Sequence, residues 1–447
     1  MLKVKCNVIR TKIFVVGFLV LCCLCSPVWG KVYIDIDSPA FQKFPIAIQN
    51  FKGLAGGQTR PGLSPWFANE LGDALRITGF FRVIERSAFI EDPSRTGITA
   101  QDINFGDWLS IGGDFLVKGG FHYNGTELTV EFRLFDVVEG KLIAGKKYWG
   151  KLEDRKTMVM KFAGEILLVL TGERGVFDSK IAFAARKGKA TEIFTVNFDG
   201  SDFNRVTRYN SLTLLPRWSP DGKKLFFTSY VANNPDSYIL DINSKKRSTV
   251  TNFTGLNMAS SWSSDGKKVL IVLSKDGNEE IYEMTLKTKR LKRLTTDPAI
   301  DVSPSWSPDG SKIAFVSNRS GSPQIFIMDS DGKNVRRLTY EGSYNTTPQW
   351  SPRGGRIVYE GATDGHFQLF TIDVDGQNFL QVTFEDGGCK APSWSPDGRY
   401  LAFTSMRGGV KKICIINSNG LNLRPFNLIS GFDALKNLSW SPRLNLY

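Results

Sequence analysis

The sequence predicts two domains, an N-terminal α/β domain followed by a six-bladed β-propeller that the C-terminal strand closes. Three observations carry this reading. The pentapeptide Trp306-Ser307-Pro308-Asp309-Gly310 recurs, whole or in part, from Trp218, Trp262, Trp350, Trp394 and Trp440, at successive spacings of 44, 44, 44, 44 and 46 residues. A period in the low forties, with Asp-Gly turns between short apolar runs, is the pattern of a four-stranded propeller blade. Finally, Lys180-Ile181-Ala182-Phe183 matches Lys312-Ile313-Ala314-Phe315 three periods upstream but has no Trp-Ser-Pro before it, whereas Trp440-Ser441-Pro442 is an inner strand with only five residues after it. Five blades are therefore continuous. The sixth is expected to join the C-terminal strand to residues 180–207, which leaves no free sheet edge at the seam.

Within one repeat, residues 303–307 read as the innermost strand, Pro308-Asp309-Gly310 as a tight turn, and residues 313–316, 324–328 and 335–339 as the remaining strands. Alternation of apolar and polar residues marks these as half-buried. The repeating Trp, on the inner strand, is expected to pack between blades with its indole N–H needing an acceptor.

At the other end, Lys3, Lys5, Arg10 and Lys12 precede a largely apolar run at residues 13–25 and then Ser26-Pro27-Val28-Trp29-Gly30. We read residues 1–30 as a secretory signal peptide. The run is too short for a membrane span, and Leu21 and Leu24 stand where a lipidated leader would want small residues before Cys22 or Cys25. Removing its four basic residues leaves 53 basic and 44 acidic side chains, and the formal net charge falls from +13 to +9. There are no long blocks of like charge, so nucleic acid is not an expected partner. Of six cysteines, only Cys389 and Cys414 remain after cleavage. An oxidising compartment permits a disulfide, but two free, partly buried thiols fit their positions in different parts of the fifth blade better.

Residues 31–39 form a tail in which Val32, Ile34 and Ile36 alternate with Tyr33, Asp35 and Asp37, after Lys31. It reads either as an edge strand or as a mobile arm. Residues 40–173 then form the α/β domain. Residues 45–51 are a strand, Ser64-Pro65 an N-cap with proline at the first helical position, and Thr78-Gly79 the end of that helix. Residues 81–84 are a second strand and Asp107-Trp108 lies in a helical segment. Residues 115–118, 127–136 and 141–148 form a meander, and a last helix over 154–170 carries Met158, Phe162, Ile166 and Val169 on one face before Thr171-Gly172 ends it. The propeller is expected over residues 176–447.

The chemistry is defined mostly by what the sequence lacks. His122 and His366 are the only histidines, and there is no Cys-x-x-Cys or His-x-x-x-His pattern, so no zinc site, and no cofactor of any kind, is expected. No Gly-x-Ser-x-Gly occurs. Asp329-Ser330-Asp331-Gly332 and Asp373-Val374-Asp375-Gly376 resemble pieces of calcium loops but lack the downstream glutamate, and both fall where a blade needs a turn. Gly112-Gly113 and Gly119-Gly120 have the wrong spacing for a phosphate loop.

The chain resembles the TolB family, periplasmic components of the Tol-Pal cell-envelope system. The resemblance rests on Pro45-Ile46-Ala47-Ile48, on residues 71–85 with Gly79-Phe80-Phe81, on Asp107-Trp108, on Val130-Glu131-Phe132-Arg133-Leu134-Phe135-Asp136, on Leu170-Thr171-Gly172-Glu173-Arg174-Gly175-Val176-Phe177 and on the six Trp-Ser motifs. Where the family usually carries an Ala-His pair in the preceding helix, this chain has Phe162-Ala163-Gly164. The resemblance implies a monomeric, non-enzymatic periplasmic adaptor without a membrane span in the mature chain. Such an adaptor links the peptidoglycan-associated lipoprotein Pal to TolA and supports outer-membrane integrity and cell division. The propeller mouth would dock Pal and the tail, Lys31, Val32, Tyr33, Ile34, Asp35, Ile36 and Asp37, would meet TolA.

Strand order says which loops form that mouth. In a four-stranded meander the connections between blades share a face with the second-to-third loops, and their last residues surround the channel. The expected Pal-binding residues are Leu214, Leu215, Asn257, Met258, Asp301, Val302, Ser303, Asn345, Thr346, Thr347, Cys389 and Lys390. The alternative is an envelope enzyme or a carbohydrate-binding propeller. An enzyme would need an acid-base pair at the mouth, where only Asp301 is acidic, and a lectin would need an aromatic platform repeating at one rim position.

Overall fold

The computed structural model describes residues 42–58, 60–93, 95–407, 409–426 and 431–444. The readings of residues 1–30 as a signal peptide and 31–39 as a tail lie outside the described residues. The first sheet has strand order β3-β1-β4-β5-β6, built from β1 (Phe44–Ile48), β3 (Phe81–Val83), β4 (Phe115–Tyr123), β5 (Leu128–Asp136) and β6 (Lys141–Gly150), with the two-residue β2 (Lys52–Gly53) also on β4. β1 runs parallel to both β3 and β4, and β4 to β6 form the antiparallel meander.

Helices α1 (Leu63–Thr78) and α3 (Arg155–Thr171) cover one face of this sheet. Short helix α2 (Phe105–Ser110) covers the other, where Trp108 packs with Ala47, Leu116 and Phe135. Phe132 of β5 is central to the first face: it stacks on Phe162 at 4.8 Å and meets Phe51 edge-on at 5.1 Å. Close packing explains Gly119, since a Cβ there would lie 2.1 Å from the Phe51 ring. The paired glycines belong to a packed strand.

Two expectations shift. Helix α1 begins at Leu63, with Gly62 at its N-cap, so Ser64 is inside the first turn and caps nothing. The buried Leu63 side chain and a hydrogen bond from the Phe51 N–H to the Ser64 carbonyl, 3.2 Å, hold that turn in place. In α3, Met158, Phe162 and Ile166 are buried as expected, but Val169 is exposed. The buried face turns instead toward Ala163 and Leu167, because Val176 and Phe177 fold back into the same core. Gly175, at φ +72°, makes that return possible, as its Cβ position lies 2.5 Å from Leu167.

Six four-stranded antiparallel sheets follow. Blade one starts with Thr213–Trp218, blade two with Asn257–Trp262, blade three with Asp301–Trp306, blade four with Asn345–Trp350 and blade five with Cys389–Trp394. In blade six the strand Ala434–Trp440 is innermost, followed by β7 (Lys180–Lys187), β8 (Ala190–Asn197) and β9 (Asn204–Arg205). The split blade is thus observed, with Trp440 opposite Ile181.

The motif residues have distinct jobs. Its Ser and Gly close the first hairpin: in blade three the Gly310 N–H donates to the Ser307 carbonyl at 2.9 Å, with Gly310 at φ +72°. The Ser307 hydroxyl accepts from the Lys312 N–H at 2.9 Å and donates to Asp309, which, with Ser311 also donating, is held down to about 2. The Trp side chains lie at the seams. Trp262 donates its indole N–H to the Arg217 carbonyl of blade one at 3.1 Å, and Trp394 to the Gln349 carbonyl of blade four at 3.0 Å. Trp backbone N–H groups also reach back one blade: Trp350 to the Ser305 hydroxyl at 3.1 Å, Trp440 to Ser393 at 2.8 Å, and, across the closure, Trp218 to Ser439 at 3.2 Å. Asp329 and Asp331 sit in the third-to-fourth hairpin of blade three, where Asp329 accepts from Lys312 and Asn334, and Asp331 from the Lys333 N–H.

Trp440 is 6% exposed and donates its indole N–H to the Ser179 hydroxyl at 2.8 Å, which ties the closing strand to the start of the propeller. Trp440→Ala is expected to destabilise the propeller by about 3–5 kcal/mol. An unchanged calorimetric melt would mean that closure does not depend on this strand.

Candidate functional site

The N-terminal domain docks on one face of the propeller and thereby fixes which face is free. The last carbonyls of α1, short of hydrogen-bond donors and negative by virtue of the helix dipole, point into blade five. The Thr78 carbonyl accepts from the Tyr400 hydroxyl at 2.6 Å, and the Ile77 carbonyl from Arg424. Arg399 lies 4.9 Å over the Phe80 ring, and Glu173, just past α3, pairs with both Arg353 and Arg399 at 3.4 Å. Arg353 and Arg399 lie in the first hairpin turns of blades four and five. The domain therefore sits on the face that carries the Trp-Ser-Pro turns, and the loops between blades open on the opposite face.

On that free face the twelve residues expected from the sequence fall into two kinds. Asn257, Asp301, Asn345 and Cys389, each the first residue of its inner strand, are buried, as is Thr213, the equivalent residue of blade one that the sequence reading left out. Three of them make hydrogen bonds that hold the loops of this face. Asn257 donates to the Phe253 carbonyl at 2.6 Å and accepts from its N–H at 3.0 Å. Asp301 accepts from Arg319 at 2.8 and 3.0 Å, yet burial raises its carboxyl more than Arg319 lowers it. Asn345 donates to Gln324 at 2.8 Å and to the Glu341 carbonyl at 2.7 Å. Burial pushes the Cys389 thiol up to about 11, and Cys389 and Cys414 are both free.

Leu214, Leu215, Met258, Val302, Ser303, Thr346 and Thr347 are partly exposed, and Lys390 is exposed with its ammonium 4.5 Å over the Phe367 ring. The inner strands bulge here. Register shifts occur in all six, and Leu215, Ser303, Thr347, Ala391 and Asn437 have φ between 54° and 57°. Side chains rarely adopt that backbone state, so its recurrence at equivalent positions marks a built feature of the channel wall.

The structure adds a rim that the sequence reading passed over. Leu212, Ile300 and Tyr344 are exposed, and each immediately precedes a buried first residue; Leu256, at the same place in blade two, is partly exposed. Phe253, Tyr340 and Phe384 extend this apolar ring, the last two 72% and 74% exposed. The signal was available as an apolar residue recurring every 44 positions at 212, 256, 300 and 344. Exposed apolar residues gathered on one surface mark an interaction site.

Glu360 supports the mouth from beneath. In blade four's second strand it is buried, accepts from the Ala391 N–H of blade five at 2.8 Å and from the Thr347 hydroxyl, and so joins two bulges. Blade one has Thr228 at the same repeat position, accepting from the Ala259 N–H at 2.8 Å. Burial raises the Glu360 carboxyl above its ordinary 4.5, against the smaller opposing pull of its hydrogen bonds and Lys390. The folded protein therefore holds this proton more tightly than the unfolded chain, and wild-type stability is lost as pH rises through the interval above 4.5. Glu360→Gln keeps an acceptor for Ala391 without the charge. Its melting temperature should match wild type near pH 4 and exceed it at neutral pH, by scanning calorimetry; a variant less stable at neutral pH would show that the carboxylate is favoured in place.

Comparison with known proteins agrees with this architecture. Residues 168–444 match the TolB beta propeller domain and residues 32–143 the TolB amino-terminal domain. The Tol-Pal system protein TolB of Syntrophus aciditrophicus is 48% identical over 237 residues, covering 50% of this chain and 52% of that protein. The corresponding protein of Desulfosudis oleivorans is 39% identical over 239 residues, covering 53% and 54%. The chain thus spans about half the length of the curated relatives it matches. The crystal structure of TolB from Acinetobacter baumannii superposes with a TM-score of 0.77 at 27% identity, over 90% of this chain and 97% of that one. With the propeller model matched over more than half its length, a split sixth blade and the α/β domain on the hairpin face, the chain belongs to the TolB family.

Proposed function

We propose that this protein is a non-catalytic periplasmic adaptor of the Tol-Pal envelope system that binds Pal at the propeller mouth and TolA through residues 31–37. The observation that carries the first half is the apolar rim of Leu212, Ile300, Tyr344 and Phe384 around a channel mouth that the N-terminal domain leaves free. An apolar ring over buried polar anchors, with Lys390 beside it, has the composition of a protein-binding surface: aromatic contact area and a few directed polar groups. The propeller supplies a rigid frame, and the loops supply the contacts.

The second half rests on the sequence of the tail and on family membership. An alternating apolar segment can add to a partner's sheet, with main-chain hydrogen bonds giving affinity and alternate side chains giving specificity. Cleavage after Gly30, which would leave the tail at the mature N-terminus in the periplasm, is part of the same proposal.

The mouth is tested by Met258→Glu combined with Lys390→Glu. Both side chains are accessible, so stability should stay within about 0.5 kcal/mol of wild type, while calorimetric affinity for Pal falls at least about ten-fold. Unaltered affinity would move the interface away from the mouth. Deleting residues 31–37 should abolish TolA binding and leave Pal binding intact; retained TolA affinity would assign that contact to the α/β domain.

A further inference from the structure

Below the mouth, the channel ends at the hairpin face in a cavity of about 330 Å³ lined by the motif segments of all six blades, Trp-Ser-Pro in five and Trp262-Ser263-Ser264 in blade two. Its wall contains no carboxylate and one cation, Arg217. Arg217 occupies the place before the motif Trp that is Ser261, Ser305, Ser393 and Ser439 in four other blades and Gln349 in the remaining one. Its Nε donates to the Ser260 carbonyl at 2.8 Å, and Nη1 to the Leu438 carbonyl at 3.1 Å and the Pro216 carbonyl at 3.3 Å. Nη2 has no acceptor among the described residues, and no acidic side chain pairs with the guanidinium. Its burial pushes the group down to about 10, with no carboxylate to offset it.

The serines around it have a matching imbalance. Ser305, Ser393 and Ser439 are each more than nine-tenths buried, and each accepts one hydrogen bond from a Trp backbone N–H of the next blade. Their own hydroxyl protons have no acceptor among the described residues. The Trp218 indole N–H, also on this wall, is buried without an acceptor. A cation, three unspent hydroxyl donors and the Gln349 carboxamide thus border one cavity that offers no negative charge in return.

We propose that this end of the channel binds a free small anion, a carboxylate or inorganic oxyanion, between the Arg217 guanidinium and the serine ring. A planar oxyanion accepts well from a guanidinium, and a desolvated cation gains most from a partner. The inference is independent of the adaptor reading: it concerns the end of the channel remote from the mouth.

The test is titration calorimetry of the full mature chain with sodium formate and with inorganic phosphate, at constant ionic strength, for wild type and for Arg217→Ser. The variant restores the residue found in four other blades and offers the Trp262 N–H a hydroxyl acceptor, so it should fold and melt at or above the wild-type temperature without added anion. Wild type should bind one equivalent of at least one anion, and Arg217→Ser at least about ten-fold more weakly, the worth of one charge-assisted hydrogen bond. Equal affinity in the two proteins, or no wild-type binding of either anion, would overturn the proposal. Crystals of the wild type soaked in sodium formate give a check that does not depend on the variant: formate density within hydrogen-bond distance of Arg217 Nη2 supports the site, and its absence contradicts it.

Discussion

Closing a ring of six sheets imposes one constraint on everything else: at every seam, the polar groups of an inner strand must find partners in the neighbouring blade. The Trp-Ser motif meets it with a division of labour. The indole fills the seam, its N–H or the backbone N–H reaches back to the previous inner strand, and the following Ser closes the hairpin that starts the second strand. Because the partner always lies one blade back, the pattern must also hold between the last strand and the first blade. The Trp218 N–H on the Ser439 hydroxyl is that bond, and it joins residues 221 apart in the chain. This long closure is why the C-terminal strand cannot be an optional tail.

The same hairpins give the propeller two unlike faces. On one, the tight turns carry Arg353 and Arg399, which Glu173 meets, while the C-terminal carbonyls of α1 accept from Tyr400 and Arg424. On the other, longer connections carry Leu212, Ile300, Tyr344 and Phe384 outward over buried polar anchors. At Leu212, Ile300 and Tyr344 anchor and rim are adjacent in sequence, so one residue is buried while its neighbour is presented to solvent. Rigidity and exposure are thereby combined at the mouth, a condition for binding without a large ordering cost.

The blades and their split were legible because they depend on period alone, and a 44-residue period survives any local ambiguity. Local signals were weaker where tertiary packing competed. Ser64 looked like a cap, but the burial of Leu63 drew the helix start back; Val169 continued a helical stripe that the fold-back of Val176 and Phe177 turned aside. At the mouth, the sequence could place residues on a face but could not separate support from surface. Asn345 reads as a polar loop end, and its partner Gln324 lies 21 residues earlier on another strand. The isolation of Arg217 was illegible for the same reason: a missing counter-ion is a property of the wall around a side chain, which only the assembled ring defines.

The central claim is that a partner is received at the mouth formed by the loops between blades, opposite the docked N-terminal domain. Amide hydrogen exchange of the mature chain with and without Pal tests it most directly. The account predicts new protection confined to the segments around residues 212–215, 256–258, 300–303, 344–347 and 388–391, with the Trp-Ser-Pro hairpins unchanged. Protection centred on those hairpins or on α1, with the mouth segments exchanging as before, would contradict it.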